Sequence, residues 1–260
     1  MSAIFERFEA CSLQRDGNAF AELFTDDAVM TFPFAGQRFV GRDAIRTRAV
    51  TAWGASPVTV REFADRIVVE HGDEVSVEYT ARVVVEDAPH EVRIVLRLRM
   101  RDGRIAEMRE YLDPTALAAV RGATTVAVLH RYHEAMRTKS ADALADLYAP
   151  DAVHEFPFFM ANGRHELVGR EEIRASYRAG WANHPLEIGA IEDAFVYVAA
   201  DPEVVTGQFR AKATLRATGS PVEITGLLVL RVHNGQIVHA RDFMDALGVA
   251  HALGRPPFSQ

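Results

Sequence analysis

The chain has 260 residues, 48% hydrophobic and 25% charged, a soluble globular composition with room for two domains of ordinary size. Its net charge is −7, and 27 of the 29 positive residues are arginine, which argues against a nucleic-acid partner because phosphate-backbone binding needs clustered positive charge. Cys11 stands alone, ruling out an intrachain disulfide; Glu6 and Glu9 sit where a secretory leader would be apolar, and no run approaches a membrane span. The expectation is a cytoplasmic protein with no membrane partner.

In chain order, Ile4, Phe5, Phe8 and Leu13 mark a first helix. Asp16 is a candidate cap for a second helix carrying Phe20, Leu23 and Phe24. A short strand follows at 28–34 and a third helix at 43–53. Alternating apolar residues then predict strands at 58–71, 74–87, 90–100 and 104–112, with Asp102-Gly103 as a tight hairpin turn. Arg93, Arg97, Arg99 and Arg101 fall on the outward face of the third of these, opposite Ile94, Leu96, Leu98 and Met100.

After a linker expected at Arg121-Gly122-Ala123-Thr124 the same order returns. Leu129, Tyr132 and Met136 mark one helix, and Ser140 caps another carrying Leu144, Leu147 and Tyr148. A strand is expected at 152–158 and a helix at 171–181, with Ile173, Tyr177 and Trp181 on one helical face. Strands follow at 189–199, 203–216, 222–232 and 236–244, the last two joined by Asn234-Gly235, and Arg255–Gln260 reads as an irregular tail.

The second pass is a copy of the first. Asp27-Ala28-Val29 recurs as Asp151-Ala152-Val153, Phe32-Pro33-Phe34 as Phe156-Pro157-Phe158, Gly41-Arg42 as Gly169-Arg170, and Trp53 as Trp181. The offset grows from 124 at Asp27/Asp151 to 128 at Gly41/Gly169 and 132 at Gly103/Gly235, as loop insertions produce. A period this long is a domain duplication and not a solenoid. The domains are expected at 1–121 and 125–254, each an α+β unit of three helices and a meandering antiparallel sheet.

This order, with Asp-Ala-Val, Gly-Arg-Glu-Glu-Ile-Arg and Asn-Gly-Gln-Ile-Val, resembles the nuclear transport factor 2-like superfamily. The ending Ile237–Asp245 through Leu247-Gly248 resembles SnoaL-like polyketide cyclases within it. The resemblance implies two cone-shaped domains, each a curved antiparallel sheet packed by three helices around an apolar ligand cavity and arranged as an internal pseudo-dimer. It also implies a base Asp late on the sheet. A comparison with ketosteroid isomerases aligns Tyr132 with their oxyanion-binding Tyr and Tyr177 with a supporting one. Their base position, before the Pro of the first strand, is Phe156 here and Phe32 in the first copy; their second acid falls at Leu228 and Leu96. The usual steroid-isomerase base is therefore missing, and so is that of the epoxide hydrolases that use the same position.

Strand alternation points to a site independently. Asp242 is the one polar residue on a face with Val238, Ala240 and Met244; Glu110 holds the matching place beside Ala106, Met108 and Leu112. Burial would raise such a carboxyl's pKa and make it a better base. His154 interrupts the apolar face of Ala152, Phe156 and Phe158, where the first copy has Met30. Tyr132 and Tyr177 face Phe8 and Ala49 in the alignment of the copies. The second copy is thus the chemically equipped one: Asp242, His154, Tyr132 and Tyr177 are the candidate catalytic residues, and Phe156, Phe158, Trp181, Leu228 and Met244 the candidate substrate contacts. Glu110, Phe32, Phe34 and Trp53 would line the pocket of the first.

No metal or cofactor motif is expected: His165-Glu166 lacks the second His of a zinc helix, and His130 and His133 are read as a helix surface without a third ligand. Two readings follow. One is a cofactor-independent enzyme that forms an enolate from a small hydrophobic carbonyl compound of secondary metabolism, leading to aldol cyclisation, dehydration or isomerisation. The other is a non-catalytic binding or assembly module, for which an acid partnered by an arginine, or a cavity filled by side chains, would speak.

Overall fold

The computed structural model describes residues 3–158 and 165–254, so the expected tail at 255–260 lies outside the described residues. The chain divides into two compact units, Met1–Thr124 and Thr125–Gln260, and each is an α+β domain with one six-stranded sheet.

In the first domain, α1 (Ala3–Gln14) buries Ile4, Phe5 and Phe8. The short α2 (Gly17–Ala21) is capped as expected, the Asp16 side chain accepting from Ala19 N–H at 2.9 Å. Strand β1 (Phe24–Phe32) ends at Pro33, which opens a 3-10 turn, and β2 (Gln37–Val40) pairs back on β1. Helix α3 (Arg42–Ala55) starts at Gly41, whose φ of 87° suits only glycine and whose N–H bonds Ala28 O at 2.8 Å, tying the helix start to β1. The meander β3 (Val58–His71), β4 (Glu74–Val85), β5 (Ala88–Arg101) and β6 (Arg104–Leu112) follows. Asp102 and Gly103 both have positive φ, as the two-residue turn requires. The arginines of β5 are exposed, and Arg99 and Arg97 pair with Glu107 at 2.6 Å and Glu74 at 3.6 Å.

The expected linker is instead helical. α4 (Pro114–Thr138) runs straight through Arg121–Thr124. Pro114 stands in its first turn, the Asp113 carboxylate accepts from Thr115 and Ala116 N–H, and the alanine-rich stretch that follows tolerates Gly122 at a cost of about 1 kcal/mol. The second domain continues with α5 (Ala141–Ala145), capped by Ser140, then β7 (Tyr148–Glu155), β8 (Glu166–Val168) and α6 (Arg170–Trp181). The sheet is completed by β9 (Leu186–Val198), β10 (Val204–Leu215), β11 (Pro221–His233) and β12 (Gln236–Met244). A final helix, α7 (Ala246–Ala252), is capped by Asp245 through Gly248 N–H. No helix among the described residues is long and apolar enough to cross a membrane.

The sheets share one topology, β2-β1-β6-β5-β4-β3 and β8-β7-β12-β11-β10-β9. Besides the antiparallel meander, each carries one parallel pair, β1 with β6 and β7 with β12. That pair lays the first strand of each domain against its last, which is what brings residues 124 positions apart in motif into the same relation to Glu110 and Asp242. In β12 a bulge beside Val238 turns Ile237 into the core and leaves Ala240 and Asp242 inward.

Candidate active site in the second domain

Asp242 lies directly across from Leu228 on β11, and His154 is in register with Ala240 on β12. Asp242 and His154 therefore face the same core, which also holds Tyr132, Tyr148, Ile173 and Leu228. The Asp242 side chain is 7% exposed, and its Oδ1 has no hydrogen-bond partner. Burial pushes its pKa up to about 7.

A chain of polar atoms runs beside it. Tyr148 Oη meets His154 Nδ1 at 2.7 Å, His154 Nε2 faces Tyr177 Oη at 3.5 Å, and Tyr177 Oη faces Tyr132 Oη at 3.4 Å. His154 is fully buried, and burial, helped by His239, drives its pKa down to about 3, so the ring is neutral and carries one proton. Burial holds the protons on Tyr132, Tyr148 and Tyr177, and the nearby Asp242 charge reinforces all three. A neutral imidazole that accepts from Tyr148 at Nδ1 must donate from Nε2, toward Tyr177; Tyr177 can then donate to Tyr132, and Tyr132 outward.

Apolar side chains complete the site. Phe156 stacks on His154 at 4.4 Å, and Trp181 packs on Tyr177 at 4.9 Å; all three of Phe156, Tyr177 and Trp181 are half-buried and pack on the core that holds Leu228. Two expected contacts are elsewhere. Phe158 is 60% exposed and packs on Phe243, which points away from Asp242. The strand stops at Glu155, so the alternation that put Phe158 beside Phe156 no longer applies past Pro157. Met244 keeps the parity of Asp242 but sits at the end of β12, 39% exposed.

Tyr148 was not singled out from the sequence, where it reads as the apolar end of α5. The signal was available: its counterpart is Phe24, the same Tyr-for-Phe exchange that marks Tyr132 against Phe8. His133 is also not on the surface, as expected, but buried against Asp193 at 3.1 Å.

In the first domain, Met30, Phe8 and Ala49 are buried where the second has its polar groups. Glu110 is across from Leu96 and carries a pKa raised to about 7 by burial, offset in part by Arg48. Phe32 is half-buried beneath Arg48, and Trp53 packs on Phe20 at 5.2 Å. Phe34 is 71% exposed against Tyr111, the same outward swing as Phe158 and for the same reason, Pro33. It lines an open depression of about 390 Å³ with Arg93, Val95 and Tyr111, on the face of the sheet opposite Leu96.

The model of the SnoaL-like domain matches residues 5–108 and again residues 129–240. The chain belongs to the SnoaL-like domain family. Both copies of the SnoaL-like domain hold their acid on the last strand of the sheet. Among curated relatives, a PhzA/B-like protein of Pseudomonas aeruginosa is 33% identical over 109 residues, 42% of this chain and 75% of that protein. The YesE protein of Bacillus subtilis is 25% identical over 128 residues, 48% of this chain and 84% of that one. Similar solved structures include a proposed isomerase from Bacillus subtilis, 23% identical over 52% of this chain and 96% of that chain with a TM-score of 0.48. An LEH-like epoxide hydrolase of M. tuberculosis is 19% identical over 45% of this chain and 85% of that chain, with a TM-score of 0.38.

Proposed function

We propose that the second domain is an enzyme that needs no cofactor and makes an enolate from a small, mostly apolar carbonyl compound, with Asp242 as the base. The observation that carries this reading is the unpartnered Oδ1 of a buried carboxyl with a pKa raised to about 7, facing three phenols that keep their protons. A base poised near the working pH is what proton transfer from carbon needs.

In the first step the Asp242 carboxylate takes a proton from the carbon next to the carbonyl. The C–H electron pair becomes the new C=C bond, and the carbonyl π pair moves to oxygen. Tyr132 donates to that developing oxyanion, oriented by Tyr177, whose own position is held by His154 and Tyr148. His154, neutral throughout the physiological range, positions and does not act as the base. Phe156, Trp181 and Leu228 supply apolar contact. The enolate is the common starting point of aldol cyclisation, dehydration and isomerisation, and the SnoaL-like family membership supports a carbonyl substrate of the polyketide kind.

The test is exchange of α-hydrogens for deuterium in ketones such as 2-tetralone, followed by proton NMR. The native chain is expected to accelerate exchange, and Asp242→Asn to abolish the acceleration with circular dichroism unchanged. Equal exchange by the two proteins would remove Asp242 from the mechanism.

A further inference from the structure

Each domain ties a helix to a bulge in the first strand of its meander, and the two ties differ in chemistry. In the first sheet Thr80 pairs with Ala64 and Glu78 with Ile67, so Asp65 and Arg66 together stand against Tyr79 as a bulge. Arg66 reaches from that bulge to Glu9 on α1, 2.5 Å away. In the second sheet Phe209 pairs with Asp193 and Gln208 with Phe195, which leaves Ala194 as the extra residue. From this bulge Asp193 reaches α4: its Oδ1 lies 3.1 Å from His133 Nδ1 and its Oδ2 lies 3.7 Å from His130 Nε2. The alignment of the copies sets His133 against Glu9, as it sets Tyr132 against Phe8.

A carboxylate paired with a guanidinium keeps both charges from about pH 5 to pH 8. A histidine does not. His133 is 6% exposed, and neither of its ring nitrogens has an aligned hydrogen bond. The elements around it offer one acceptor, Asp193 from β9. β10 contributes the Phe209 ring at 5.4 Å, and α4 itself contributes His130 and Tyr132, which keeps its proton. A charged His133 would bring two N–H donors to a single carboxylate already shared with a second histidine. Burial outweighs the pull of Asp193, and His130 adds to it, so the ring holds a proton less tightly than an ordinary histidine. Parting α4 from β9 returns the ring to water and to its ordinary value of 6.5. The opened joint therefore binds the proton more tightly, so the contact is at full strength above about pH 6.5 and weakens as the pH falls below it.

We propose that His133 and Asp193 form a pH-sensitive clasp that holds α4 to β9 at neutral pH and releases it in mild acid, while Glu9 and Arg66 keep the matching joint of the first domain closed. The clasp does not depend on the reaction proposed for Asp242.

Amide hydrogen–deuterium exchange of the full chain at pH 8 and pH 5.5, each rate divided by the intrinsic rate at that pH, reads both joints in one sample. Protection of α4 around His133 and of β9 around Asp193 is expected to fall at least about threefold more in the native chain than in His133→Gln. Glutamine keeps a donor for Asp193 and takes no charge. The comparison also removes the contributions of Asp242 and His154, which respond to pH in the same domain. Around Glu9 and Arg66 the two proteins should agree within about twofold. Where His133→Gln does not fold, the chain carrying His133→Glu with Asp193→Arg, which has the first domain's kind of pair, takes its place. The proposal is overturned by an equal fall in native and variant, by a native joint that tightens in acid relative to the variant, or by equal loosening of the Glu9–Arg66 joint.

Discussion

In both domains a carboxyl faces inward from the last strand, Glu110 across from Leu96 and Asp242 across from Leu228, and burial lifts each to a pKa of about 7. What surrounds them is opposite. Asp242 has phenols and a neutral imidazole beside it and no cation; Glu110 has a guanidinium and one deep tyrosine. Even the tyrosine is displaced: Tyr79 pairs with Ile94 in the first sheet where Phe209 pairs with Gly226 in the second. The shared sheet thus dictates where an acid stands, and the helices and neighbouring strands dictate what it can do. An acid among hydrogen-bond donors is suited to making and stabilising an oxyanion.

The largest effect should come from giving the second domain the first one's lining. Tyr132→Phe with His154→Met and Tyr148→Phe removes the donor to the oxyanion and the groups that orient it. Loss of one such donor costs roughly 10²–10³ in rate, so the triple variant should lose at least about a thousandfold in α-hydrogen exchange. Glu110→Gln, by contrast, should leave exchange within about twofold of native. If the two variants lose rate equally, the division of labour between the domains is wrong.

The pH dependence sharpens the same comparison. Unfolded, Asp242 ionises near 3.8; folded, near 7. The folded state therefore binds its proton more tightly, so burial carries no penalty below about pH 4, a growing one from 4 to 7, and the full one above 7. At about 1.4 kcal/mol per tenfold change in proton affinity, the shift from 3.8 amounts to a penalty of about 4 kcal/mol. Asp242→Asn should accordingly stabilise the chain above pH 7 by up to that amount and do little below pH 4, read from denaturant unfolding at a series of pH values. Glu110→Gln should gain less, because its shift from 4.5 is smaller and Arg48 already offsets it. Exchange activity should rise tenfold per pH unit below 7 and level off above, since the ionised Asp242 is the working form.

A third difference is steric. A Cβ added at Gly226 would lie 2.5 Å from the Phe209 ring, while the matching Ile94 of the first domain carries a full side chain beside Tyr79. Gly226→Ala should cost about 1–3 kcal/mol, the range for overpacking a core, measured by chemical denaturation; a neutral outcome would mean Phe209 moves freely.

Nearly all of the architecture was legible because long alternating runs and a repeated motif leave little freedom: each long strand was placed to within a few residues. Strands β2 and β8 were missed because three or four residues cannot carry a period. The linker expected at Arg121–Thr124 is helical because Ala116, Ala118, Ala119 and Ala123 around Gly122 outweigh the cost of one glycine. His154, Tyr132 and Tyr177 stand out because the first copy is apolar at those places, Asp242 because a carboxyl is the one polar residue on its strand face in both copies, and the four converge on one core. Tyr148 escaped because it was counted with a helix. Arg48 and its counterpart Ser176 are both polar, so the comparison of the copies does not mark the position.

The smallest expected effect tests how far strand parity can be trusted. Phe156 and Phe158 have the same parity, but Pro157 lies between them and the strand has already ended at Glu155. Phe158 crosses to the side of Phe243, whose face also carries the Glu155–Arg241 and Glu155–His239 pairs, as Phe34 crosses to Tyr111 in the first domain. Phe158→Ala should therefore change exchange activity by less than about twofold and stability by less than about 1 kcal/mol, the scale of one edge-to-face aromatic pair. Phe156→Ala removes the ring stacked on His154 and should lower activity at least tenfold. A Phe158 variant as damaged as the Phe156 variant would put that ring back beside Asp242, and with it the simple alternation that Pro157 is argued to break.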